Sequence, residues 1–206
     1  EYGHDDLLPA IRRLASHQET AQQEACAAIL GLFKDESSVP RLSQLATSHN
    51  VNVRLAALAA LYRLGRAEAK QAVETLAKEN NLFAINLLGS MTGSEETLIA
   101  LMKSNNTHIR VNAAASLLEL RDKRCLPLIA QLLVTGTRDL AITMTISPGK
   151  SLSAWHVVPS AQQNFQDNPL AHELSLHLKE QTLIKAVELP ENDFLKLAAA
   201  LLDEQQ

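Results

Sequence analysis

At 206 residues, 46% hydrophobic but only 3% aromatic, the chain draws its apolar content from alanine and leucine rather than from rings, the composition of closely stacked helices. A formal charge of −4 and a pI near 6.0 exclude the electrostatic footprint that phosphate-tracking proteins need, so nucleic acid is not an expected partner. No apolar run approaches the roughly 18 residues of a membrane span, and no signal-like stretch opens the sequence.

Taken in order, the chain reads as helical hairpins. Asp5-Asp6-Leu7-Leu8-Pro9 enters a helix without a polar capping unit, although arrays of repeats need polar end units to stay soluble. The expectation is therefore a C-terminal piece of a longer protein. Leu8-Pro9-Ala10-Ile11, Val39-Pro40-Arg41-Leu42 and Leu126-Pro127-Leu128-Ile129 share one proline placement. Proline is tolerated in a helix's first turn, where its missing N–H has no intrahelical partner, so these prolines are expected to mark helix starts. First helices without proline are expected around 68–78 and 94–103, the latter capped by Ser94 with Glu95 and Glu96 at its positive end. Second helices are expected near 20–34, 51–64, 81–91 and 107–121, and a fifth from Thr137-Arg138 through Leu140 to Ile146, although that body alternates like a strand.

The second helices repeat. Asn52 to Gly65 is nearly restated by Thr107 to Arg121; Arg54 and Arg110 stand 56 positions apart, twice 28, with Phe83 to Gly89 halfway between. A period of this size means an array of supersecondary units. The apolar, Arg, small, small, Leu pattern resembles the second helix of HEAT repeats, particularly the short variety known from phycobilisome lyase-like proteins. The resemblance implies an all-α, right-handed α-solenoid of about five hairpins over residues 1–146. An irregular insertion over 147–168 and a divergent C-terminal helical cap over 169–206, packed on the array, would complete the chain.

In HEAT arrays the second helices line the concave side. Aligning on the inward seam makes Val53, Ala56, Ala57, Ala60, Leu61 and Leu64 core, with Ile109, Ala113, Leu117 and Leu120 as equivalents. The positions left over include Leu55, Leu58, Tyr62, Phe83, Val111 and Leu118, an apolar stripe that calls for a cover. Either a partner helix or peptide docks there, with Tyr62 and Phe83 as aromatic anchors, or the chain's own C-terminal region folds over it. Trp155, the only tryptophan, lies in the insertion as a grip over the groove or as an apolar plug. Arg54, Arg110 and Arg138 resemble the family's internal ladder to adjacent repeats, with Asn50, Asn52, Asn105 and Asn106 where the family has Asp, or else form a ligand-binding row.

Chemistry is sparse. HEAT-repeat di-iron hydroxylases use several His-Glu pairs; this chain has His172-Glu173 alone, with His177 one turn on. Bilin lyases share only the unit length, and the damaged-base glycosylases need a basic face. Cys26 and Cys125, in different repeats, read as small buried apolar residues of a cytoplasmic protein. The reading is a noncatalytic scaffold for a protein partner, with no cofactor and no metal. The alternative is a HEAT-repeat enzyme or enzyme subunit whose missing N-terminal part completes a lyase-like or hydroxylase-like site.

Overall fold

The computed structural model describes residues 4–129, the pairs 140–141 and 156–157, and residue 192. These fall into two compact units, the first holding residues 4–87 and the second everything described from residue 88 onward.

In the first unit the helices are α1 (His4–Leu14), α2 (Thr20–Leu32), α3 (Val39–Leu45), α4 (Val51–Arg63), α5 (Ala67–Lys78) and α6 (Leu82–Leu88), the last reaching its edge. Pro40 stands in the first turn of α3, after a single 3₁₀ turn over Glu36–Ser38. Pro9 does not mark a start: α1 begins at His4 and carries the proline inside it. An interior proline forfeits the backbone bond to the carbonyl four residues back, here that of Asp5.

The second helices begin at residues 20, 51, 82 and 107, steps of 31, 31 and 25. The 56 residues between Arg54 and Arg110 therefore do not divide into equal halves. Asparagine caps fix the last three starts, whereas Glu19 ahead of α2 makes no side-chain cap bond. The Asn50 side chain accepts from the amides of Asn52 and Val53 at 3.0 and 3.2 Å, Asn81 from Ala84 at 2.9 Å, and Asn106 from His108 at 2.9 Å. The short step comes from α6 and α7 (Glu95–Leu101), seven residues each, against 13 and 12 in α4 and α5. Phe83 accordingly lies in the first turn of α6 and is not the counterpart of Leu55.

The ends of the second helices are as regular as their starts. Lys34, Gly65 and Arg121 take left-handed φ values of 50°, 76° and 58°. The next amide then closes back on the helix, Asp35 to the Leu30 carbonyl, Arg66 to Leu61 and Asp122 to Leu117, each at 3.0 Å. Glycine adopts this conformation without strain, whereas lysine and arginine hold it against their own Cβ.

Packing between α2 and α4 is set by small residues. Ala27, Ala28 and Gly31 are buried on α2, and Ala56, Ala57 and Ala60 on α4. At the closest approach a Cβ added to Gly31 would lie 2.6 Å from both Cα and Cβ of Ala60. Around this seam Leu30, Leu42, Val53, Leu55 and Val73 are fully enclosed, each such side chain contributing about 1.5–3 kcal/mol.

The second unit holds α7, α8 (Thr107–Glu119), a 3₁₀ turn over Lys123–Cys125, and a helix beginning at residue 126 with Pro127 in its first turn. Ser94 precedes α7, but its side chain makes no cap bond; the Glu95 carboxylate takes the Gly93 amide instead, at 3.2 Å. The expected fifth second helix is contradicted where it is described. Leu140–Ala141 forms a short strand, β1, antiparallel to β2 (His156–Val157), with Leu140 opposite Val157 and Ala141 opposite His156. Strand-like alternation prevailed there over the repeat period, and β2 gives the expected irregular insertion two residues of regular structure. Asn192 is helical; the rest of the expected C-terminal helices lies outside the described residues. All other described elements are helices.

Candidate functional site

The second helices carry every candidate binding residue within the described part of the chain. Leu55, Leu58, Val111 and Leu118 are buried, so they are core side chains rather than an open apolar stripe. The physical reason is that α4 and α8 are apolar on nearly every face: Val53 and every residue from Leu55 to Leu61 are buried, as are Val111, Asn112, Ala113, Ala114, Ser116, Leu117 and Leu118. A helix apolar all round is enclosed all round, and no single seam can be read from it. Tyr62 and Phe83 are half-buried, on α4 and α6 of the first unit. Trp155 lies outside the described residues, as do Arg138, His172, Glu173 and His177.

Caps and steps align the second helices residue by residue. Gln23, Arg54 and Arg110 occupy one position; Glu24, Leu55 and Val111 occupy the next. At the first, Gln23 Nε2 donates to the His17 carbonyl at 2.5 Å, and Arg110 Nη1 donates to the Ser104 carbonyl at 3.1 Å, six residues back in both cases. This position ties α2 and α8 to the turn before them, and Arg110 also reaches the Asn105 carbonyl at 3.4 Å. Arg54 breaks the pattern, with a buried Nε that has no hydrogen-bond partner.

Links between helices come from arginines that the sequence pattern did not single out. Arg12 on α1 grips the buried Asp35 with two bonds, Nε to Oδ2 at 2.8 Å and Nη2 to Oδ1 at 2.6 Å, and the Ser38 hydroxyl donates to the same carboxylate. Hydrogen bonding from Arg12 holds the Asp35 carboxyl below the usual carboxylate range, against the opposing effect of burial. Arg41 on α3 donates twice to the Ala15 carbonyl, at 3.0 and 2.7 Å, closing the end of α1 from the next hairpin. Arg66 reaches Glu36 at 2.8 Å, and Arg124 reaches Glu96 at 2.7 Å and Asp122 at 2.5 Å. Their signal in the sequence is placement at helix ends, where a guanidinium meets free carbonyls and acidic turn residues.

Two further polar atoms on α2 are buried without a partner, Gln22 Oε1 and Glu24 Oε1. Glu24 is only 9% exposed and stands where α4 and α8 have Leu55 and Val111 and α6 has Asn86. Such a group is unusual in a folded chain and costs stability unless something satisfies it. Cys26 and Cys125 are free, buried thiols, and desolvation pushes Cys125 up to about 12. Among the described residues there is no group of three metal-ligating side chains, and no helix is long and apolar enough to cross a membrane.

The hairpins α1 to α5 and the first turn of α6 coincide with a known sequence family: the model described as HEAT repeats matches residues 4–84. No curated protein matches the chain. Helical hairpins stand over this span, and the turns after α2 and α4 close with the same bonds, so residues 4–84 are a run of HEAT repeats.

Proposed function

We propose that the chain is a noncatalytic scaffold that binds a protein partner, a helix or an extended peptide, along the second helices of its first unit. The observation that carries the reading is the set of buried polar atoms left unsatisfied on α2 and α4: Gln22 Oε1, Glu24 Oε1 and Arg54 Nε. Glu24 Oε1 accepts hydrogen bonds, so a segment bringing an N–H or cationic donor to its face of α2 would satisfy it on docking. Tyr62 and Phe83, half-buried aromatics of the same unit, are the candidates for apolar contact with such a segment. Other titratable side chains, Arg12 with Asp35 and Arg124 with Asp122 and Glu96, are engaged in holding turns together, which suits a frame more than a reaction centre. The two unpaired thiols fit a reducing, cytoplasmic setting, and the net charge of −4 fits a protein rather than a nucleic-acid partner.

The test is affinity capture followed by reconstitution with the purified partner, comparing the parent with Glu24→Gln and Phe83→Ala at unchanged helicity. At least one variant is expected to weaken binding tenfold or more, the loss that about 1.4 kcal/mol of lost contact produces. Unchanged affinity in both variants, with the fold intact, refutes the proposal.

A further inference from the structure

The three 13-residue second helices, α2, α4 and α8, end on equivalent residues, Leu32, Arg63 and Glu119. Arg63 and Glu119 are exposed, so this position faces solvent in the other two helices, and a charged side chain suits it. Leu32 departs from that pattern. It is 63% exposed, and Phe33 beside it is 37% exposed, although the equivalent Leu64 is only 6% exposed. Because the position is open in each of these helices, the exposure of Leu32 follows from which residue stands there and not from how its surroundings are packed.

Cations flank this apolar pair. Lys34 follows it, in the left-handed conformation that Gly65 adopts without strain at the end of α4. The close approach of Gly31 to Ala60 sets the register of the two helices. Three residues further along each of them, Lys34 stands level with Arg63, one helix spacing of about 8–10 Å away. Neither side chain makes an ion pair among the described residues. Of the three carboxylates between residues 30 and 70, Asp35 is held by Arg12 and Glu36 by Arg66, which leaves Glu68 on α5 against the two cations.

From this we infer that Leu32, Phe33, Lys34 and Arg63 form a docking surface for an acidic segment of a protein partner. An apolar side chain of that segment covers Leu32 and Phe33 while carboxylates on either side of it meet Lys34 and Arg63. Charge selects the occupant. A purely apolar segment would leave two cations unpaired at the edge of a dry contact, and a basic one would be repelled by them. The surface lies eight residues along α2 from Glu24 and uses none of Glu24, Tyr62 and Phe83.

The probe is a random peptide library displayed on phage and selected on the purified full chain, followed by titration of an enriched peptide in synthetic form. Enriched sequences are expected to join Leu, Ile, Met or Phe to Asp or Glu, and their affinity to fall as salt rises from about 50 to 500 mM. Leu32→Glu installs the residue that α8 carries at this position, and Lys34→Gly the one that follows α4 as Gly65, so both are compatible with the fold. Leu32→Glu is expected to weaken the peptide about tenfold or more, and Lys34→Gly about three- to tenfold. The thermal midpoint of Lys34→Gly should be no lower than the parent's, because left-handed strain is relieved. Binding lost without stability lost is a result that a merely structural role does not give. The inference is overturned if no peptide is enriched, if the enriched peptides lack acids, or if both variants bind them as the parent does. It is also overturned if phosphatidylserine vesicles bind where the peptides do not, or if the chain sediments as a dimer that Leu32→Glu dissolves. A membrane or a second copy would then be the occupant.

Discussion

Replacing Gly31 with alanine tests the packing on which the first unit depends. The new methyl carbon would lie 2.6 Å from Ala60 Cα and Cβ, where ordinary contact begins at 3.4 Å, so α2 and α4 must separate by roughly 1 Å or strain locally. Overpacking of this kind costs about 1–3 kcal/mol. Alanine recovers about 0.5–1 kcal/mol through its better helix propensity. The net expectation is a loss of about 1–2 kcal/mol, or a midpoint lowered by about 2–8 °C in a chain of this size. Urea and thermal unfolding of the purified chain, followed by circular dichroism, measure it. Adding Ala60→Gly relieves the clash with the Ala60 methyl group but leaves the one with its backbone carbon, so recovery should be partial. A Gly31→Ala chain as stable as the parent, or more so, would show that the two helices do not approach this closely and would refute the reasoning.

Asn50→Ala removes the acceptor for two amides at the start of α4 and should cost about 0.5–2 kcal/mol in urea unfolding, with Asn50→Asp close to the parent. Asp35 titrates lower in the folded chain than in the unfolded one, so its contribution is fully present above the unfolded value near pH 4 and is lost as pH falls through the depressed folded value. The parent's unfolding midpoint should therefore fall more steeply than that of Asp35→Asn between about pH 4 and pH 2; parallel curves would remove Asp35 from the acid response. Both thiols should resist a maleimide in the native chain and react on unfolding, since each is buried and each has its ionisation pushed upward. A rapidly labelled native cysteine would contradict their placement.

The hairpins were legible because their determinants are local. The starts of α4, α6 and α8 are set by Asn50, Asn81 and Asn106, and the ends of α2, α4 and α8 by a left-handed residue just beyond, features that sequence spacing carries directly. The unequal steps were hidden because Phe83-Ala84-Ile85 fits an apolar template in more than one register, and only the Asn81 cap decides between them. Leu55, Leu58, Val111 and Leu118 read as an open face in the sequence because α4 and α8 offer no wide polar side from which to fix a register. Glu24 is inconspicuous in the sequence for a related reason: one acid among Gln22, Gln23 and Glu24 looks solvated until Leu55 and Val111 are set at its equivalents. The cross-links of Arg12, Arg41, Arg66 and Arg124 depend on which turns adjoin, a tertiary fact beyond any single period.

The long-range polar ties of the first unit span 23 residues from Arg12 to Asp35, 26 from Ala15 to Arg41 and 30 from Glu36 to Arg66. No tie among these reaches beyond one repeat length, so load applied along the chain is borne by one hairpin at a time. Pulled by its ends in an optical trap, the first unit should therefore yield in successive rips. Each 31-residue repeat lost would free at most about 100–110 Å of contour, and refolding under falling force should proceed by the same increments.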